Sequence, residues 1–598
     1  MLWHDNGFFY LKTEPPINSL YQELKALPTR QRQWNKAQKI WRFIPTPYIS
    51  WQLSKLCKKY NVKFSKEAVE IAKYHGSRFD YLYELSHATE PLSNSKFYNN
   101  KNINGLMSHQ YIALEYTAQE RQIILADTMG LGKTIEIIHT ATENNAFPML
   151  YICPAKLREN VSREIRKWAP NNSIMTIYGE KECESYQADC IVCSYSILHR
   201  HIKNFFEIDW KLLAFDESQY LKHNTRRTRT AKRIANKVAK NKYNFVICAS
   251  GTPIDNRPKE LINQLQIIDK INIFENEWNF LQRYCDAKRI SFVKRGVMLK
   301  RWDFSGASNT EELNKILRGN CYIRRTRKQV FPNAPKLTRQ TIVFDIENRG
   351  EYNYAVEEFI SHVFKKALHD EEFQKTIQNL TIEAQQEAIL AHAKEKVLRA
   401  EANETLTKIN ELKQICALGK IESIIEWAKT VIESGESLII FAYHKRVIKQ
   451  LEEALECRAI YGETKDSQKL VDDFQNGETK VLIINIKSGI GHNLTRGHIV
   501  AFAEFYWVPT IHAQCECRVD RIGQEHDMLS YYLVGKDTID VEINHMLQEK
   551  QEVVDSVTDG EFKEQKSKES IFSEFVGNWL DRYYKEQLNG ETIKSANV

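Results

Sequence analysis

A short apolar run, Ile123-Ile-Leu-Ala126, leads straight into Asp127-Thr-Met-Gly-Leu-Gly-Lys-Thr134, and a helical pattern carried by Ile135, Ile137, Ile138 and Ala141 follows without a break. In this arrangement of strand, small-residue loop and helix, backbone N–H groups at a helix N-terminus close around phosphate oxygens. No other segment constrains the fold as strongly, because such a loop belongs between a strand and a crossover helix of an α/β unit. Lys133 is placed to add positive charge for the β- and γ-phosphates of ATP, and the Thr134 hydroxyl to ligate Mg²⁺. Asp127, Met129, Gly130, Leu131 and Gly132 complete the expected nucleotide-binding loop. The strict pattern has glycine where Asp127 stands, so this is a variant loop.

The same alternation spreads on both sides of the loop. Apolar runs at Leu150–Cys153, Cys190–Cys193, Leu212–Phe215 and Phe245–Cys248 are separated by amphipathic segments, and the pattern returns at Leu438–Phe441, Val481–Ile484 and Ile499–Phe502. It predicts an α/β protein with two doubly wound parallel-sheet lobes, in keeping with a 598-residue chain about four times the length of a ~150-residue domain. The expected boundaries are a compact unit over 1–74, a linker over 75–105, lobe 1 over 106–270, a helical insertion over 271–430, lobe 2 over 431–556 and a C-terminal tail over 557–598. In the tail, Phe572, Phe575, Trp579, Leu580, Tyr583 and Tyr584 fall at near-helical spacing and predict a helix packed on the rest.

Charge is distributed unevenly. Residues 1–74 hold 13 Lys or Arg against 5 Asp or Glu, a net of +8, whereas the whole chain carries +7. A basic block with interleaved aromatic residues points to a polyanion, with nucleic acid favoured over a membrane surface. No apolar stretch reaches the roughly 18 residues of a membrane span, and residues 1–5 lack the features of a secretory leader, so an intracellular, soluble protein without a membrane partner is expected. Cysteines are scattered, and the single Cys190-Ile-Val-Cys193 pair lies in a strand-like run with no second pair, which reads as structural.

Two further elements carry chemistry. The strand Leu212–Phe215 ends in Asp216-Glu217, and carboxylates at a strand's C-terminal end sit at the ligand edge of an α/β sheet. Asp216 is placed to hold Mg²⁺ and Glu217 to orient and deprotonate water. Near the other end, Gln514-Cys-Glu-Cys-Arg518-Val-Asp-Arg521-Ile-Gly-Gln524 puts Arg518 and Arg521 three apart, on one face of an expected helix. Guanidinium groups suit a transferring phosphoryl group, so both are candidate catalytic residues reaching across from lobe 2.

Taken in order, the loop, Asp216-Glu217, Ala249-Ser-Gly-Thr-Pro-Ile254, Ser488-Gly-Ile-Gly-His-Asn-Leu-Thr495 and Arg518-x-x-Arg521-x-Gly-Gln524 resemble the motif set of superfamily-two Swi/Snf-type DNA translocases. Arg283-Tyr-Cys-Asp-Ala-Lys-Arg289, Gly306–Leu313, Tyr322-Ile-Arg-Arg325, Phe441–Lys445 and Phe502–Trp507 are similar to the annealing-helicase branch, and Leu24–Pro28 with Trp34 and Lys39–Phe43 to its N-terminal HARP-like domain. The resemblance implies RecA-like lobes, helical insertions, a small N-terminal accessory domain for branched DNA, and an ATP-dependent motor on duplex or forked DNA. A motor that displaces proteins from DNA and an inactive DNA-binding scaffold are the alternatives. The same resemblance offers Gln110 as an adenine contact and Lys156, Ser194, His444, Lys445 and Thr495 as DNA contacts. Gln219, Cys515, Cys517, Asp520 and His492-Asn493 depart from the family pattern. The block 1–74 is expected to be removable without unfolding the motor.

Overall fold

The computed structural model describes residues 1–28, 31–93, 95–100, 105–181, 183–294, 297–368, 402–462, 464, 466–488 and 494–560. The tail residues Phe572–Tyr584 and the pair His492-Asn493 lie outside these. Four antiparallel strands open the chain: β1 (Leu2–Asp5), β2 (Phe8–Leu11), β3 (Arg32–Asn35) and β4 (Ile40–Phe43), in the order β1-β2-β4-β3. Asn6 and Gly7 turn β1 into β2 with positive φ at both positions, the backbone that a two-residue hairpin requires. Trp34 and Trp41 pair across β3 and β4 with ring centroids 5.0 Å apart, and Trp41 is buried while Trp34 is 37% exposed.

Helices Pro47–Lys59 and Lys66–Leu85 back this sheet, each started by a side-chain cap, Thr46 to the Ile49 amide and Ser65 to the Ala68 amide. The second helix runs through residue 74, so the expected boundary there falls inside an element and the expected linker is helical for its first third. Its Ala68, Ala72, Phe79, Leu82 and Leu85 recur at helical spacing, a signal hidden by the many Lys and Glu between them.

Lobe 1 is a seven-stranded parallel sheet. Its strands are β5 (Gln122–Leu125), β6 (Met149–Cys153), β7 (Ile174–Thr176), β8 (Cys190–Ser194), β9 (Leu212–Asp216), β10 (Phe245–Ala249) and, after the hairpin β11 (Lys288–Lys294) and β12 (Val297–Asp303), β13 (Tyr322–Ile323). The order is β13-β5-β10-β9-β6-β8-β7. Strands β6, β8, β9 and β10 are buried at every position, as continuous apolar runs covered by helices on both faces should be. Cys190 and Cys193 lie three apart in β8 and enter the cores on opposite faces of the sheet, so they share no site.

Lobe 2 is a six-stranded parallel sheet of β14 (Leu337–Phe344), β15 (Leu438–Ala442), β16 (Ala459–Ile460), β17 (Val481–Asn485), β18 (Ile499–Phe502) and β19 (Met528–Gly535), ordered β14-β19-β18-β15-β17-β16. The region 271–430 is therefore not only a helical insertion. It contributes β13 to the first sheet and β14 to the second, while Glu277–Tyr284, Thr310–Arg318, Arg327–Val330, Arg349–Leu368, Ala402–Gly419 and Ile421–Glu433 supply its α-helices among the described residues. Both strands escaped notice in the sequence because β13 is two residues long and β14 is an edge strand rich in polar residues. Among the described residues no helix is long and apolar enough to cross a membrane.

Candidate active site between two lobes

In a parallel sheet the residues that follow strand C-termini gather at one edge. Leu125, Asp216 and Ala249 stand in register across β5, β10 and β9, so the phosphate loop, the Asp216-Glu217 pair and Ser250-Gly-Thr252 emerge together. Gly130 and Gly132 take φ of +83° and +88°, values that let the loop coil back on the N-terminus of helix Lys133–Glu143. A side chain at Gly251 would meet the Met129 amide at 3.0 Å and Lys133 Nζ at 3.3 Å, so the Ser-Gly-Thr segment abuts the loop and its lysine. Lys133 Nζ donates to the carbonyls of Asp127 at 2.7 Å and Thr128 at 3.3 Å.

Asp127 does not face the loop's concavity. Its carboxylate is fully buried, accepts the Arg325 amide at 2.8 Å and Nε at 3.1 Å, and pairs with Arg325 Nη2; Arg325 also lies 3.6 Å from the buried Glu136. Arg324 beside it donates to the carbonyls of Ala126 at 3.0 Å and Gly251 at 2.8 Å. The expected loop residue is thus an internal tie, and Arg324-Arg325 are site-supporting residues that went unassigned in the sequence; two consecutive arginines after the apolar pair Tyr322-Ile323 were the available signal. Gln110 Nε2 donates to the Leu131 carbonyl at 3.1 Å and its Oε1 accepts the Met107 amide at 3.0 Å, which places it against the loop.

Asp216 is 8% exposed, and burial, reinforced by neighbouring Glu217, raises its carboxyl to about 7 against the opposing charge of Lys133. The buried Tyr151 lies beside both Asp216 and Thr134, which brings the two proposed Mg²⁺ ligands to one place. Glu217 takes φ +50° and ψ +51°, a left-handed conformation that costs a glutamate about 1–3 kcal/mol and turns the chain sharply off the strand. Its Oε2 accepts from Gln219 Nε2 at 2.8 Å, and Gln219 Oε1 accepts from Ser250 Oγ at 2.6 Å. Gln219, a departure from the family pattern, therefore links the carboxylate to the Ser-Gly-Thr segment with its own two amide groups.

Arg518 and Arg521 reach the same place from lobe 2, by a turn and not by a helix. Helix Pro509–Glu516 stops where Glu516 is buried and held by Arg339, Ser530 and Tyr532, and successive tight turns carry the chain on through Arg521. Gln524 fastens these turns, donating to the carbonyls of Thr495 at 3.0 Å and Gly497 at 2.8 Å. A side chain on Gly130 would come within 3.6 Å of Arg521 Cγ. Burial and then Arg518 lower the Arg521 guanidinium to about 10, opposed in part by Glu217. Thr510 Oγ1 donates to Asp255 at 2.8 Å and Gln514 Nε2 to Thr252 Oγ1 at 3.3 Å, so the two lobes are closed on each other. Arg518 Nε and Thr128 Oγ1 are buried without a hydrogen-bond partner among the described residues. Unsatisfied helix-terminal amides, an unpartnered guanidinium nitrogen and two oxygen donors form a set that fits a nucleotide phosphate with a hard divalent cation.

The other candidates are divided. Lys156 is exposed on the turn after β6 and Lys445 is exposed at the start of helix Lys445–Ala454. Ser194 is buried with its hydroxyl 2.9 Å from that of exposed Ser196, so a contact from this turn falls to Ser196. His444 is engaged by Glu504, which also accepts its amide at 2.8 Å, and Thr495 Oγ1 accepts from Gln475 at 3.2 Å.

Residues 106–419 match the family described as the SNF2-related domain, and residues 419–523 match the helicase conserved C-terminal domain. The SWI/SNF-related matrix-associated actin-dependent regulator of chromatin subfamily A-like protein 1 of Drosophila melanogaster is 30% identical over 74% of this chain and 54% of its own length. The DNA annealing helicase and endonuclease ZRANB3 of Homo sapiens is 28% identical over 79% of this chain and 42% of its own. This chain thus spans about half the length of these relatives. A solved Sulfolobus solfataricus SWI2/SNF2 ATPase core in complex with dsDNA aligns at 22% identity and a TM-score of 0.33, over 76% of this chain and 93% of that one.

Proposed function

The chain belongs to the SNF2-related domain family, and from that premise we propose that it is a DNA-stimulated ATPase that steps along duplex or branched DNA and reanneals strands or remodels forks. The observation that carries this reading is the seating of Arg521 of lobe 2 against Gly130 of the lobe 1 phosphate loop, with Glu217 in its field.

The chain's own residues divide the work of hydrolysis. Loop amides and Lys133 bind the β- and γ-phosphates, Glu217 takes a proton from the attacking water, and Arg518 and Arg521 meet the charge that develops on the transferring phosphoryl group. Gln219 orients Glu217 through its link to Ser250. Thr134 and Asp216 would hold Mg²⁺, which supplies a Lewis-acid charge against the phosphates. Because both arginines belong to lobe 2, the site is complete only when the lobes close, and this makes closure the step that DNA can accelerate. Contacts to phosphates rather than bases imply low sequence specificity and a steep salt dependence. The similarity to the DNA annealing helicase and endonuclease ZRANB3 supports strand reannealing in particular.

The test is ATP hydrolysis measured without DNA and with single-stranded, duplex and forked DNA, together with annealing of complementary strands. Stimulation by duplex, strongest with forks, and ATP-dependent annealing are expected. No stimulation by any DNA leaves a scaffold, and stimulation without annealing leaves a protein-displacing motor.

A further inference from the structure

From Ser218 to Ile254 the chain runs for 37 residues with nine Lys or Arg and no Asp or Glu. Most of this charge is gathered by one helix, Arg226–Ala239, whose buried side (Thr228, Ala231, Ile234, Ala235, Val238) packs on lobe 1. At 100° per residue, Arg226, Arg229, Arg233, Lys237 and the capping Lys240 fall within about 80° of arc, and a rise of 1.5 Å per residue spreads them over about 21 Å. All five are exposed.

None of the five pairs with a carboxylate among the described residues; Lys237 donates to the Phe206 carbonyl, and Arg233 and Lys237 stand over the Phe206 ring at 5.5 and 5.6 Å. Helix cations elsewhere do pair along their own helix, as exposed Arg163 does with Glu159 at 3.9 Å and half-buried Lys315 does with Glu311. On the neighbouring helix Leu198–Glu207, Lys203 is also exposed, Arg200 is paired with Glu180, and the nearest acids in sequence are Glu207 and the Asp209 paired with Lys211. Like charges three and four apart on a helix repel, so the stripe weakens the helix that carries it.

The helix starts just after Asp216-Glu217 at the ligand edge and ends just before β10, so it runs antiparallel to the strands, away from the cleft and down the flank of lobe 1. We propose that this stripe is a second phosphate-binding surface, holding one arm of a branched duplex while another arm lies across the ligand edges of the two lobes, where Lys156 and Lys445 are exposed. The proposal rests on the DNA-motor reading above. About 21 Å matches some six base pairs at 3.4 Å each, and a duplex with a persistence length of about 150 base pairs is too stiff to cross the ligand edge and also turn down the flank. Only a branch delivers a second arm there.

The full chain carrying Arg226→Gln, Arg229→Gln and Arg233→Gln tests this, beside a variant with lysine at the same three positions. Affinity for a 30-base-pair linear duplex and for a three-way junction with arms of that length is measured across salt concentration, with ATP hydrolysis on each. The glutamine variant should bind the junction about tenfold or more weakly and lose about 2.7 from the slope of log affinity against log salt, three contacts at 0.9 each, with linear-duplex binding and turnover unchanged. The lysine variant should restore both values. A junction affinity and slope equal to wild type would reduce the stripe to a solvated face. Equal losses on linear duplex and junction would assign it to a single DNA track and overturn the second-arm claim. If wild type shows no DNA-stimulated hydrolysis but the glutamine variant still loses junction affinity, the motor reading fails and the stripe stands.

Discussion

Lys133 and Glu217 act at different stages, and their substitutions should separate accordingly. Lys133→Ala should abolish ATP turnover and weaken nucleotide binding, because it removes the charge nearest the phosphates. Glu217→Gln should keep nucleotide affinity while lowering turnover by about 10²–10⁴, the usual range for loss of a general base. Binding titrations and single-turnover hydrolysis distinguish them, and substantial turnover in both variants would place the site elsewhere. A different residue contributes to the pH dependence of stability. Lys413 is 2% exposed and donates to the Phe505 carbonyl at 2.7 Å, and burial lowers its ammonium to about 8 despite Glu504 and Asp540. Unfolded, it titrates near 10.4, so between about 8 and 10.4 the unfolded chain holds the extra proton and stability rises with pH. Melting temperatures from pH 7.5 to 10 should therefore rise in wild type relative to Lys413→Met; parallel curves would contradict this assignment.

At the scale of elements, the turn that follows helix Pro509–Glu516 places both candidate fingers. Arg521→Ala should lower turnover without changing nucleotide affinity, since the guanidinium meets charge that forms only during transfer. Arg518→Ala should do so more weakly, and an unchanged rate in the double variant would remove the two-lobe mechanism. The contact between the N-terminal unit and lobe 1 includes one very close approach. A Cβ at Gly319, at the end of helix Thr310–Arg318, would lie 2.3 Å from the Phe79 ring. Gly319→Ala should thus cost about 1–3 kcal/mol, the range for overpacking a filled seam. A denaturant midpoint equal to wild type would show that Phe79 moves aside freely.

Across the whole molecule, parts far apart in sequence share cores. Residues of β1, β2, β4 and helix Pro47–Lys59 join lobe 1 in one continuous apolar cluster, and Arg78 and Arg283 hydrogen-bond across the seam to the carbonyls of Gln119 and Ala26. Helix Ile539–Thr558 of lobe 2 returns to lobe 1, where Asn314 donates to the carbonyls of Val557 and Thr558 and Arg324 pairs with Asp559. Removing residues 1–74 would cut helix Lys66–Leu85 and strip this cluster, so the expectation that the block is dispensable for folding is reversed. The truncated chain should melt well below the full chain and lose ATP turnover with it. A truncation that melts with the full chain and hydrolyses ATP normally would restore an independent N-terminal domain.

The sequence by itself determined the elements that carry one signal over consecutive residues. A strand buried on both faces must be apolar throughout, and a phosphate loop must have small residues between strand and helix, so β5, β6, β8, β9, β10, β15, β17 and β18 and the segment Asp127–Thr134 were legible. The tertiary structure alone decided what depends on partners brought from elsewhere. It turned Asp127 inward to Arg325, 198 residues away, and made Gln219 the link between Glu217 and Ser250. It also set Arg518 and Arg521 on turns rather than a helix, and gave one strand of the region between the lobes to each sheet. A side chain's hydrogen-bond partner and an edge strand's neighbour leave no periodic trace along the chain, because both are chosen by packing after the strands have assembled.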